Sequence, residues 1–327
     1  MVAWFGAVQA QEYGPAKWGL ALRSATGATD ALIERAIEQG RILRTHILRP
    51  TWHFVAREDI RWLLELTAPH VQRRMATYDR QLGLDSSTMT RATGIIERAL
   101  GDRGPRTRRE LGAELARTAL PSGTRELAHM MMHAELEGLV CNGPRRGKQF
   151  TYALLAERAT SASQWEREQA LAELTRRYFR SHGPATLRDF VWWSGLKTSE
   201  ARRGLEIIRA HSREVDGLTY WTLKRSPERI SRRRAGVHLL PIYDEYLVAY
   251  RDHRAVPRPA YMLGGFQHAL LVGGQVAGTW RTIQGPKGLV VDVRPLRPLA
   301  PAERRELAQA VTHYRRFLGV PVSLSVT

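Results

Sequence analysis

The chain is poor in three things. A single cysteine, Cys141, stands in 327 residues, so no internal disulfide framework is available, and a reducing cytoplasm is the expected compartment. Leu139 and Val140 flank it, which suits a buried structural thiol better than a nucleophile. No stretch approaches the ~18–20 apolar residues of a spanning helix, and no charged start with apolar run and small-residue cleavage site marks a signal peptide. Acidic residues are scarce as well: 32 Asp+Glu against 50 Lys+Arg leave a formal charge of +18. Codon bias towards arginine does not by itself deplete carboxylates, so a polyanionic partner, nucleic acid first, is expected.

What is present is enough for several cores, at 43% hydrophobic residues, and its clearest order is a repeat of shape. From Arg91 to Leu100 the chain reads as a helix, Gly101–Pro105 as a turn, and Thr107 with Glu110 as a capping box opening a second helix. A third helix starts at Ser122, then Leu139–Cys141 and Phe150–Leu154 read as strands joined by NGPRRGKQ. Three helices and a two-stranded ribbon with a basic tip is the winged-helix plan. The order returns with helices over Glu166–Arg180, Thr186–Trp193 and Thr198–Ala210, then strands at Arg213–Val215 and Leu218–Leu223 around Asp216-Gly217, a hairpin signal.

The N-terminal part reads as a third such unit. Val2–Gln11, Pro15–Arg23 and Asp30–Gln39 are expected to be helical, with a turn at Gly14-Pro15, and Ile42–Ile47 and Thr51–Val55 to be strands. Ala56–Ala68 then makes a linking helix with Trp62, Leu63 and Leu66 on one side. After a basic connector, Arg225–Arg234, the pattern becomes β-rich: Val237–Leu240, Ala269–Val272, Val276–Thr282, Leu289–Val293 and Pro321–Val326, interrupted by a helix over Pro301–Phe317. The expected fold is mainly α with β. It comprises three tandem winged-helix (helix-turn-helix) domains over 1–87, 88–160 and 161–235, and a small antiparallel sheet or β-barrel-like module over 236–327.

Within this frame Gln9 and Gln11 stand out, two amides separated by Ala10 on a segment otherwise made for burial. By itself Gln-x-Gln is a weak pattern, and ordinary polar positions on a helix burying Trp4, Phe5 and Val8 would explain it. Other candidates have bland readings too. His53, between Trp52 and Phe54, suits a buried hydrogen-bonded histidine slightly better than a substrate contact. Asp244 and Glu245 are the best acidic pair for acid/base work, yet a salt bridge to Arg251 or Arg254 is the more expected use. His129 and His133 lie one helical turn apart, but no further Cys or His completes a zinc site. Gly143–Lys148 has the wrong spacing for a phosphate loop, and Trp192-Trp193 reads as core. For phosphate contact the candidates are Arg49, Arg106, Arg108, Arg109, Arg145, Arg146, Lys148, Arg251 and Arg254. The loops Gly143–Gln149 and Arg251–Pro259 are the candidates for entering a minor groove.

Several segments together carry a family resemblance: Gln9–Gln11, Leu43-Arg44-Thr45, Arg49–Val55, Leu239–Tyr246 with Tyr250-Arg251-Asp252, and Val276–Arg281. In combination they resemble the AlkZ family of bacterial winged-helix DNA glycosylases, across nearly the whole chain. The resemblance implies three tandem winged helices and a C-terminal β-barrel. It also implies excision of N7-alkylated purines from double-stranded DNA, with unhooking of interstrand crosslinks left by alkylating antibiotics in some members. It puts catalysis on Gln9 and Gln11 and calls for no metal or cofactor; apart from the resemblance, Thr51, His53, Asp244 and Glu245 are candidate pocket residues. Family members usually carry a further helix before the segment that begins here at Met1, so the first winged helix is expected to be N-terminally incomplete. A monomer is expected. The rival reading is a non-catalytic winged-helix DNA-binding protein or regulator.

The chemistry fits the residue types. An N7-alkylated guanine is cationic and already a good leaving group, so orienting a water is the larger task, and amide carbonyls can accept its hydrogen bonds. Neutral amides are not general bases at ordinary pH, which restricts such a site to activated substrates.

Overall fold

The computed structural model describes residues 1–24, 27–160, 165–223, 236–254, 256, 267–286 and 288–327. They form two compact units, one of residues 2–8 and 35–223, the other of Met1, residues 9–34 and the chain from 224 onward. The connector expected over Arg225–Arg234 lies outside the described residues, as do 255 and 257–259 of the loop expected over Arg251–Pro259.

In chain order the first elements are α1 (Val2–Phe5), β1 (Ala7–Gln9), α2 (Tyr13–Leu22), α3 (Asp30–Glu38), β2 (Ile42–Ile47) and β3 (Arg49–Ala56). The long helix α4 (Ile60–Gln81) follows, then α5 (Ser86–Arg103), β4 (Arg106–Thr107), α6 (Arg108–Ala116), α7 (Thr124–Leu136), β5 (Val140–Asn142) and β6 (Thr151–Leu154). After α8 (Leu155–Arg158) come α9 (Arg167–Ser181), β7 (Ala185–Thr186), α10 (Leu187–Ser194), α11 (Thr198–Ile207), β8 (His211–Val215) and β9 (Leu218–Thr222). Helix, strand, helix, helix, strand, strand thus occurs three times. The three-stranded sheets share one order as well: β1-β3-β2, β4-β6-β5 and β7-β9-β8, with the third strand in the middle each time.

The second repeat shows how sequence sets this layout. Asp85 caps α5 by accepting the Thr88 N–H at 2.7 Å, and Met89, Ala92, Ile96 and Leu100 fall on one face at helical spacing. That face packs on Leu111, Leu115, Met130, Met131 and Val140. Thr107 and Glu110 form the expected capping box: the Glu110 N–H donates to the Thr107 hydroxyl, and the Glu110 carboxylate accepts the Thr107 N–H at 2.7 Å. The linking helix runs well past its expected end at Ala68, through Pro69 to Gln81. Proline deletes one backbone bond there, while Trp62, Leu63, Leu66 and Val71 anchor the buried face on both sides of it.

The smaller unit is built on β10 (Val237–Leu240), the one-turn α12 (Glu245–Val248), β11 (Ala269–Val272), β12 (Gln275–Gly285), β13 (Gly288–Pro295), α13 (Pro301–Leu318) and β14 (Val322–Val326). The sheet order is β10-β11-β12-β13-β14, with β13 and β14 parallel. This corrects the antiparallel, barrel-like expectation: among the described residues β10 and β14 are edges, and no pairing closes the sheet. The reason is α13, a crossover helix that makes the last pair parallel and packs on β10 and β14. Trp18 of α2 is fully buried against His313, Tyr314 and Phe317, and its indole N–H donates to the Leu239 carbonyl at 2.7 Å. This fixes α2, and hence the chain that leads into it from Gln11, to the sheet and its helix.

Candidate active site

Gln9 and Gln11 are not on a helix. Gly6, at φ +88°, ends α1 in a conformation that L side chains rarely adopt, and the chain continues as the buried strand β1. Gln9 ends that strand and is 8% exposed; Gln11 is half-buried in the bend that precedes α2. The turn expected at Gly14-Pro15 is also absent, because Pro15 sits in the first turn of α2, where a missing N–H breaks no helical bond.

The backbone at Gln9 is held by a buried carboxylate: its N–H donates to Glu245 Oε1 at 2.7 Å. Glu245 is the first residue of α12, and Asp244 caps that helix by accepting the Tyr246 N–H at 2.9 Å. Asp244 also takes both guanidinium nitrogens of Arg23, at 2.6 and 2.9 Å, so the pair is bidentate. The expected partners of this acidic pair were Arg251 and Arg254. Arg23 takes that place for Asp244, while exposed Arg254 pairs with Asp252 at 2.7 Å. Asp244 and Glu245 stand at a helix start rather than on a strand, and these bonds anchor the chain around them.

In the larger unit, the hairpin β2–β3 carries His53, Thr51 and Arg49. His53 is fully buried, and its Nδ1 lies 2.9 Å from the Thr51 carbonyl. Thr45 stands directly opposite His53 in the β2–β3 register. Arg49 is buried and directs its guanidinium to the Trp192 carbonyl at 3.4 Å and towards the Trp192 ring, so it is turned inward rather than towards a phosphate. The opposite face of the hairpin places His46 and Trp52 against the buried carboxylate of Glu135.

The DNA glycosylase AlkZ-like family matches residues 2–317. The chain belongs to this family. An interstrand DNA cross-link repair glycosylase of Streptomyces sahachiroi is 25% identical over 340 residues, covering 96% of this chain and 88% of that protein. The solved structure of Streptomyces sahachiroi DNA glycosylase AlkZ superposes with a TM-score of 0.80 at 22% identity, over 100% of this chain and 92% of that one, a likeness of fold. As an AlkZ-like protein the chain is a DNA glycosylase, a hydrolase of N-glycosyl bonds in DNA.

The basic residues of this AlkZ-like chain divide by exposure. Arg109, Arg146 and Lys148 are exposed on α6 and the β5–β6 connection, whereas Arg106, Arg108 and Arg145 are half-buried. Arg108 donates to the Thr124 carbonyl at 2.9 Å, Arg145 to the Lys148 carbonyl at 3.0 Å, and Arg146 to Glu110 at 2.8 Å. Arg146, then the Thr107 cap, hold the Glu110 carboxyl down to about 2. Arg251 is exposed. Burial pushes the Cys141 thiol up to about 12, so it is no nucleophile. His129 pairs with Asp79 at 2.6 Å, and among the described residues no group of three or more His, Cys, Asp or Glu is placed to hold a metal ion. Of the tryptophan pair, Trp193 is core and Trp192 is 42% exposed.

Sequence reasoning missed Arg23 and Thr45 as members of these clusters. For Thr45 the signal was available: with an antiparallel hairpin assumed, alternation puts Thr45, Thr51 and His53 on one face. Nothing local marks Arg23, whose partner lies 221 positions away.

Proposed function

We propose that this glycosylase removes N7-alkylated purines from double-stranded DNA, including those joined in interstrand crosslinks, with Gln9 and Gln11 holding the attacking water. The observation that carries the reading is the setting of Gln9: a neutral amide side chain, nearly buried, on a backbone anchored by the Glu245 carboxylate. An anchored amide can orient water at the anomeric carbon, and lacking general-base strength it acts on bases that are already good leaving groups. The S. sahachiroi relative, named for cross-link repair, supports the wider substrate range.

The same reading takes the three repeats as winged helices, in segments 1–87, 88–160 and 161–235, with residues 236–327 as a sheet module. Their shared strand order supports it. The protein then acts in the cytoplasm as a monomer, gripping DNA through exposed cations. The test is release of 7-methylguanine from methylated duplex DNA; binding without release would leave a non-catalytic DNA-binding protein. Arg109→Ala and Lys148→Ala are each expected to reduce the slope of log affinity against log salt by about 0.9, the value for a single neutralised phosphate. An unchanged slope in both would remove α6 and the β5–β6 connection from the DNA interface.

A further inference from the structure

Two buried hydroxyls on the β2–β3 hairpin have a use that the fold does not supply. Thr45 is fully buried, and neither its Oγ1 nor the buried Oγ1 of Thr51 has a hydrogen-bond partner among the described residues. Such a hydroxyl is a standing cost, since it has given up water and gained nothing in return. Valine has nearly the same shape without the cost. The two hydroxyls share a face: Thr45 lies opposite His53, and Thr51 is two residues before His53 on the same strand. The middle strand of this sheet is β3, with β2 on one side and β1 on the other.

Resting on the glycosylase reading above, we infer that Thr45 and Thr51 are hydrogen-bonding contacts for the departing purine. When the C1′–N9 bond of a cationic 7-alkylguanine breaks, its electron pair moves to N9 and the ring becomes neutral. Water adds at C1′ and releases one proton to solvent. Electron density on the purine acceptors N3 and O6 rises through this step. Hydroxyl donors fixed beforehand gain strength as the bond opens, which is differential stabilisation of the transition state. A threonine hydroxyl also accepts, so the pair suits the mixed donor and acceptor edge of a guanine.

The experiment compares single-turnover release of 7-methylguanine, at saturating enzyme, with the melting temperature of the free protein. Thr45→Val is expected to slow release about tenfold or more while raising Tm by roughly 2–4 °C, because an unpaired buried hydroxyl is removed without changing shape. Thr51→Val should slow release as well, and Thr45→Ser should recover the rate. A valine variant that releases base at the parental rate overturns the inference and leaves the glycosylase reading standing. A Thr45→Val protein that is both slower and less stable also overturns it, since the hydroxyl would then serve the fold. A parent that binds methylated duplex and releases nothing takes both readings down together.

Discussion

Alanine at Gln9 or at Gln11 is expected to lower single-turnover release of 7-methylguanine by about 10²-fold, the scale on which losing the orientation of a reactant acts, while affinity for the same duplex stays within twofold of the parent's. Binding and chemistry separate here because the residues proposed to meet phosphate belong to other elements, Arg109 to α6 and Lys148 to the β5–β6 connection. The two positions are not equivalent. Gln9 ends a buried strand and Gln11 is half-buried in the following bend, so Gln9→Ala also leaves a cavity, and its melting temperature must be read beside its rate. Gln9→Glu adds a sharper check. If the amide serves only to orient water, an ionised carboxylate in its place accepts the same hydrogen bonds and also supplies a base. It then stands near the buried carboxylate of Glu245, which raises its pKa by desolvation and like charge. Release by this variant should therefore rise with pH above the ordinary carboxylate range, where the parent's stays flat. Parental rates in both alanine variants would remove the glutamines from the reaction.

The second repeat was legible because its signals are local. Thr107 with Glu110 acts within one turn of helix and stands where the pattern puts it, whereas the helix before it starts earlier and ends later than the expected Arg91–Leu100, running from Ser86, capped by Asp85, to Arg103 through part of the expected turn. Asp216-Gly217 likewise delivers its hairpin, both residues at positive φ. The start of the chain misled for the same reason. Trp4, Phe5 and Val8 read as the buried face of one helix, but Trp4 is 46% exposed and Val8 belongs to a strand whose partner, β3, begins forty residues later. Period alone cannot separate the two in so short a run, and the break falls on Gly6, whose φ no neighbour announces. The parallel placement of β14 follows from where α13 packs, and packing partners are not written in a strand's own alternation. Arg49 reads as a phosphate contact from charge; only the register of β3 against the rest of the larger unit turns it towards Trp192.

Asp244→Ala is expected to destabilise the smaller unit by roughly 3–5 kcal/mol, measured by chemical denaturation, because it strands one charge and uncaps one helix. The Asp244 side chain is 1% exposed and holds the Arg23 guanidinium through two bonds. Burial works against the charge on Arg23, and the carboxylates of Asp244 and Glu245 outweigh it and raise its pKa. Removing Asp244 takes away the main counter-charge while the burial stays. Arg23→Met combined with Asp244→Leu should cost less than Asp244→Ala alone, since it strands no charge. A smaller loss in Asp244→Ala than in the double variant would mean that the pair does not hold this region. The damage should reach the reaction as well. Asp244 caps α12, α12 begins with Glu245, and Glu245 fixes the Gln9 N–H; loosening the first link loosens the amide that is to hold the water. Asp244→Asn separates the two roles, because the amide keeps an oxygen for the cap and loses only the charge. If Asp244 is an anchor, this variant loses stability and part of its rate with an unchanged pH profile. If Asp244 instead takes a proton in the reaction, the profile itself changes shape, and the acid/base reading of the Asp244–Glu245 pair returns.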